Sequence, residues 1–382
     1  MSRTRRALAG GTGLIVAGVL PGFLTGGLAP RIRHDFAFGD SSVGLAVAVF
    51  YVVSGLCSIP AGRLVERIGP TRGMRLGAAL TVLGCLGVAA FARSTASLVP
   101  LLLLAGAGNA VGGPAVSALL RREMAIHRQG LAFGAQQSGA TLGALLAGLS
   151  LPAVAIPFGW EWAYGAAAAL AVAALAIAPA VPEARPAEER PRPPAGLSSV
   201  HALALAAALA RAAGVGFVAF LVLYAVDSGI GEGSAGLLLG AVSGAATASR
   251  IGLGALLDRR RQEPLMPVVA MLGLSVAGYL LLIPREPAVI VVGALLAGSL
   301  GWAWPGALTL AVVQRAPEAP AWAVGVMMSG LFAGAVAGPL VVGLLAEHDH
   351  FSAAWGVCSA FALLSAGTIV ATRRSSARAP VH

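Results

Sequence analysis

Apolar runs of about 20 residues recur from one end of this 382-residue chain to the other, separated by short polar or basic breaks. A run of that length, wound as a helix rising about 1.5 Å per residue, crosses the ~30 Å hydrocarbon layer of a bilayer. Twelve such spans are read, at about 12–30, 42–61, 74–92, 97–120, 130–151, 162–180, 200–226, 234–257, 265–284, 288–313, 321–346 and 353–371. The pattern predicts an all-α integral membrane protein. The first run is not read as a cleaved leader, since eleven more follow and 22–30 lacks a small-residue cleavage site.

The pattern also repeats. Gly62-Arg-Leu-Val-Glu66-Arg67 and Gly254-Ala-Leu-Leu-Asp258-Arg259 each close an apolar run at an offset of 192 residues. The same offset pairs Ser42-Val-Gly44-Leu45 with Ser234-Ala-Gly236-Leu237 and Ala105-Gly106 with Ala297-Gly298. One residue less aligns Gly134–Gly139 with Gly325–Gly330. Matches in register across many helices predict two homologous six-helix bundles, an organisation suited to a transporter. Residues 1–181 form the first bundle, 182–199 a charged, Pro-rich linker, and 200–382 the second. Within the spans, Gly139-x-x-x-Gly143 and Gly330-x-x-x-Gly334 are small-residue pairs that let helix backbones approach closely, at corresponding places in the two repeats.

Composition sharpens this picture. The chain is 57% hydrophobic and 11% charged, which excludes a water-soluble domain of this size. A net charge of +10 raises the question of nucleic acid, but its distribution answers it. Every one of the 26 basic residues is Arg; with a cytoplasmic N-terminus, twenty lie on the cytoplasmic side, four outside (31, 33, 93, 285) and two within spans (211, 250). This bias predicts an inner (plasma) membrane protein with both termini cytoplasmic, and the basic charge serves topology instead of nucleic acid. Cys57, Cys85 and Cys358 lie in apolar spans without metal-ligand spacing and read as packing residues. Trp160, Trp162, Trp322 and Trp355 sit at span ends and read as interface anchors.

Gly62-Arg-Leu-Val-Glu66-Arg67-Ile-Gly69-Pro-Thr-Arg72 resembles the loop 2–3 signature of the major facilitator superfamily, with a degenerate copy at Gly254, Asp258 and Arg259 in loop 8–9. Glu66 stands where that family usually has Asp, and Thr71 where it often has a basic residue. The resemblance covers essentially the whole chain. It implies a secondary transporter that rocks two halves about a midplane site, with Gly62, Glu66, Arg67, Gly69, Arg72, Gly254, Asp258 and Arg259 forming the conformational-switch loops. Glu66 is expected to meet helix ends and arginines between spans 2 and 11. Span 4 lacks the Arg, and span 5 the Gly-Pro element, of many drug antiporters in that family; a Gly338-Pro339 occurs in span 11 instead.

The candidate binding residues follow from cost. An arginine at the centre of a span costs roughly 2.5–3.5 kcal/mol, so Arg211 in span 7 must face a cavity or a partner. It is read as a grip for a carboxylate, with a structural guanidinium capped by carbonyls as the alternative. Arg250 lies nearer a span end and reads as structural, snorkelling or paired with local acids. Asn109, Gln136 and Gln137 either contact substrate or bridge helices, and Trp302 and Trp304 before Pro305 either wall a pocket or pack. No Asp or Glu lies deep in a span, so proton coupling, if present, falls to His201 or the substrate. No metal, cofactor or catalytic constellation is expected, and the chain reads as a monomeric permease, not an enzyme. The substrate is read as a small organic anion; the alternatives are a multidrug or natural-product exporter of the same superfamily and, remotely, a non-transporting receptor or scaffold.

Overall fold

The computed structural model describes residues 2–35, 39–124, 136–180, 198–260, 263–316, 320–347 and 350–378, and they contain no strand. Among the described residues eleven helices are long and apolar enough to cross a membrane, and a twelfth, Leu265–Leu281, is a shorter apolar helix. In chain order the spans are Arg3–Gly27 (span 1), Asp40–Ile68 (2), Pro70–Phe91 (3), Thr95–Glu123 (4), Gly139–Phe158 (5) and Trp160–Ile177 (6). Then follow Ser198–Asp227 (7), Glu232–Arg260 (8), Leu265–Leu281 (9), Pro287–Gly301 with Pro305–Arg315 (10), Pro320–Ala346 (11) and Phe351–Arg378 (12). The linker expected at 182–199 lies outside the described residues but for its last two, Ser198 and Ser199, which open span 7.

Several boundaries differ from expectation for local reasons. Gly62–Arg67 lies in the last part of span 2, not in a loop, because Arg63, Leu64, Glu66 and Arg67 are good helix formers. The turn is concentrated at Gly69, whose φ of +83° suits glycine and whose N–H still reaches Val65 O. Pro70 then starts span 3 at the position where its missing N–H is harmless. A short helix that the apolar pattern does not announce, Ala29–Asp35, follows span 1. Span 5 widens into one π-turn at Leu151–Ala155 around Pro152, which lacks a backbone donor.

Helix neighbours in the first six spans recur in the last six with the span number raised by six: 1–5 as 7–11, 1–6 as 7–12, 2–4 as 8–10, 3–4 as 9–10 and 3–6 as 9–12. Across the two groups, span 2 packs on 11, 5 on 8 and 1 on 7, a set that maps onto itself when the groups are exchanged. The small-residue pairs land on equivalent contacts. Gly139 and Gly143 lie on Ile15 and Val19 of span 1, while Gly330 and Gly334 lie on Ala204 and Ala208 of span 7.

Span 1 begins and span 12 ends at the same end of the bundle, as twelve alternating spans require. At the opposite end one buried apolar core runs through both groups, joining Leu28, Val47 and Ala147 of the first to Phe220, Leu239 and Val342 of the second. At the termini end the core divides in two. One part, around Leu14, Val65 and Leu119, belongs to the first six spans; the other, around Leu203, Leu272 and Leu308, belongs to the last six. The buried apolar core is therefore shared by the two groups at one end and divided between them at the other. Trp160 and Trp355, expected as interface anchors, are instead buried: Trp160 donates its indole N–H to Asp35 at 2.6 Å, and Trp355 packs among Phe217, Tyr224 and Phe351. Trp162 is 65% exposed.

Candidate functional site

The site grows from a break in span 10. Pro305 has no N–H to give Gly301 O, so the helix opens over Trp302–Trp304. Two stranded carbonyls find substitutes. Trp304 donates its indole N–H to Gly301 O at 2.8 Å, and Arg250 Nη2 donates to Trp302 O at 2.7 Å. Arg250 Nη1 reaches across the two groups to Gln137 O, at 2.6 Å. Arg250 thus neither snorkels nor pairs with an acid: it straps span 8 to the residues just ahead of span 5 and to the broken turn.

Arg211 shares the same tryptophan. Its guanidinium carbon stands 6.0 Å from the Trp302 ring centre, a cation–π arrangement. Gly214, one turn along span 7, leaves room for the indole: a Cβ there would come within 3.2 Å of Trp302 Cδ1. On its other side Trp302 meets Phe23 of span 1 edge-on, with centroids 5.6 Å apart. Tyr51 of span 2 supplies the polar neighbour of Arg211, its phenol facing the guanidinium. Arg250 lies close enough to Arg211 for the two positive charges to repel. Spans 1, 2 and 5 of one group and spans 7, 8 and 10 of the other therefore converge on Trp302.

The hydrogen-bond count of this cluster is lopsided. Tyr51 Oη, Arg250 Nε and Trp302 Nε1 are all buried without a hydrogen-bond partner. Two of the three can only donate, and buried donors are normally satisfied. The carboxylates nearest in sequence, such as Glu232 and Asp258, belong to the first and last turns of span 8, away from Arg250. The cluster is rich in donors and positive charge, and among the described residues it has no anionic acceptor.

The other candidates are placed as follows. Asn109 Nδ2 donates to Ser54 Oγ at 3.1 Å, joining span 4 to span 2 one turn beyond Tyr51. Gln136 Nε2 donates to Ser117 Oγ at 2.8 Å, joining the start of span 5 to span 4. Gln137 enters the cluster through its backbone carbonyl. Trp304 is fully buried in the core of the last six spans. His201 lies exposed in the first turn of span 7, ten residues or about 15 Å of helix from Arg211. Glu66, Arg67 and Arg72 are exposed around the Gly69 turn, and a Cβ added at Gly62 would meet no atom within 4 Å. Gly254 is equally open, while the side chains of Asp258 and Arg259 lie outside the described set.

Sequence reasoning passes over Tyr51, Phe23 and the role of Arg250. A hydroxyl in the middle of an apolar span is a usable signal for Tyr51; the other two depend on the break in span 10.

A sequence profile described as "Major Facilitator Superfamily" matches residues 11–321. An uncharacterised MFS-type transporter of Enterobacter sp. (strain 638) is 30% identical over 109 residues, which is 28% of this chain and 27% of that protein, so the chain matches about a quarter of that relative's length. The fold is similar to crystal structures of a bacterial homologue of the human lysosomal transporter Spinster, in inward-facing unoccupied and inward-facing occupied conformations. Both give a TM-score of 0.70 at 16% identity and cover 97% of this chain and 94% of theirs.

Proposed function

Since this chain belongs to the major facilitator superfamily and is a membrane transporter, we propose that its substrate is a small organic anion held at Trp302 between the two six-span halves. The observation that carries this reading is the donor-rich cluster. Arg211, the buried N–H groups of Arg250 and Trp302, and the Tyr51 hydroxyl converge without a carboxylate among the described residues. A carboxylate or similar oxyanion would supply the missing acceptors, and Arg211 could grip it with two parallel hydrogen bonds. Phe23 and the Trp302 ring would face its apolar part. A cationic drug placed there would meet repulsion from two guanidinium groups, which weighs against the exporter reading.

Alternating access follows from the parted cores. With the arginine-rich side and both termini cytoplasmic in the inner membrane, the parted end is the cytoplasmic one, and the molecule stands inward-open. Transport then requires the Trp302 cluster to be approached from the other end after the halves, joined by the 182–199 linker, rock as rigid units. The described spans hold no buried carboxylate near Arg211, so any proton coupling falls to the substrate's own ionisation.

The test is flux into proteoliposomes of monocarboxylates, other small anions and cationic drugs, with and without a pH gradient. An anion is expected among the transported solutes. For that anion, Arg211→Ala is expected to weaken binding by roughly 30- to 5,000-fold, the range for truncating one partner of a buried charge pair. Arg211→Lys keeps the charge but not the planar fork and should fall between. Transport of cations alone, or equal affinities in all three proteins, would overturn the anion site in favour of an exporter.

A further inference from the structure

Arg211 alone would suffice for a monocarboxylate, and the structure places a second arginine on the same tryptophan. Arg250 is a costly choice there. Its two terminal nitrogens are spent on the carbonyls of Gln137 and Trp302, its Nε is buried without an acceptor, and its neighbour of like charge is Arg211. Neutral carbonyls satisfy hydrogen bonds but do not neutralise charge. A part-buried cation left with dipoles alone and facing a second cation is a situation that paired charges normally relieve.

Resting on the anion site above, we infer that Arg250 is the second arm of that site and that the transported solute carries two negative charges, as a dicarboxylate or a phosphate or sulfate ester does. Two guanidinium groups flank one indole, Arg211 over its ring and Arg250 on its backbone carbonyl. The three donors without acceptors belong to Tyr51 beside Arg211, to Trp302 in the middle, and to Arg250 itself. One carboxylate on Arg211 and Tyr51 would leave Arg250 Nε and Trp302 Nε1 unmet. A second anionic group fills that remainder and brings the net charge of the cluster to zero. Arg250 also touches Gln137 of the opposite half, so an anion that draws its head group away loosens the strap between spans 5 and 8. A dianion would in that way both fill the site and release the crossing that must move.

The test uses the purified full chain and four probes: acetate, malonate, sulfate and chloride, with binding read by tryptophan fluorescence and calorimetry. Malonate or sulfate is expected to bind at least ~30-fold tighter than acetate or chloride, the low end of the effect of a buried charge pair. Malonate against sulfate then separates a dicarboxylate from a tetrahedral oxyanion. In Arg250→Gln that ratio is expected to fall to within about threefold, while Arg250→Lys, which keeps the charge, preserves most of it. A role confined to holding the turn would weaken all four probes together and leave the ratio intact, and that result overturns the inference. If Arg250→Gln does not fold, Arg250→Met, neutral and similar in length, takes its place. A wild-type ratio near one overturns the dianion while leaving an anion site standing; no saturable response to any probe overturns both.

Discussion

The two ends of the bundle are built differently. Away from the termini, the halves approach until glycine backbone meets backbone. A Cβ on Gly148 of span 5 would stand 2.6 Å from Gly240 N of span 8, and one on Gly44 of span 2 would collide with Pro339 O of span 11. Ion pairs cross the rim above them: Arg31 to Glu232 at 2.6 Å and Arg33 to Asp227 at 3.5 Å. At the termini end Arg3–Glu123 and Arg373–Glu263 are ion pairs within one half. There Gly62, Gly254 and Gly325 face open space. The glycines of this chain thus serve two tasks. Those at one end are used in close backbone contact, and those at the other carry none in this state.

Filling the closed end should break the comparison most. Gly148→Leu puts a side chain where span 8 backbone now lies, and overpacking of this kind costs typically 1–3 kcal/mol. Concentrated on one state, that shifts its population by about 5- to 150-fold. Flux should fall accordingly, and a cysteine at Leu239, fully buried in this state, should become reactive to an impermeant thiol reagent in a cysteine-free background. Normal flux with an unreactive Leu239→Cys would remove Gly148 from the seal.

The converse change sharpens it. A Cβ added at Gly62 meets nothing within 4 Å in this state, so the thermal stability of Gly62→Leu should not fall by more than ~0.5 kcal/mol. If the parted end must close during the cycle, flux should nevertheless drop roughly fivefold or more as the closed form is disfavoured. Unchanged flux would mean that the end of span 2 takes no part in closure.

The fold is largely legible because its governing signals are local or periodic. Span length, arginine spacing and the repeat offset survive in a one-dimensional reading, and so do Gly139/Gly143 and Gly330/Gly334, whose equivalent contacts follow from their equivalent places. What escapes that reading depends on carbonyls. Arg250 reads as a snorkelling residue because it lies ten positions from the end of span 8. Its partners are main-chain oxygens of Gln137 and Trp302, and a carbonyl has no letter in the sequence. Gln137 draws notice for its amide and contributes its backbone. Trp304 suggests a pocket wall and repairs the Pro305 break instead. Only the position of Pro305, read as a source of stranded acceptors, points toward this arrangement.

The smallest effect belongs to the rim. Arg31 and Glu232 retain about a third of their side-chain exposure, 36% and 33%. Pairs of that kind contribute typically 0–1 kcal/mol and are screened by salt. Arg31→Gln should therefore shift the closed-end population by no more than about fivefold, with the difference from wild type shrinking as salt is raised. The backbone contacts beneath are insensitive to salt, so the two parts of the seal are separable by one titration. Exchanging the partners, Arg31→Glu with Glu232→Arg, should restore most of what either reversal alone removes, since the pair is compact enough to accept either order. Arg33 complicates the swap, because it already holds Asp40 at 3.1 Å and would draw the carboxylate introduced by Arg31→Glu toward itself. Incomplete rescue that becomes complete in Arg33→Gln would identify that competition. Loss of flux from Arg31→Gln as severe as from Gly148→Leu, and unaltered by salt, would instead make the ion pairs the principal closure and the glycine contacts their consequence.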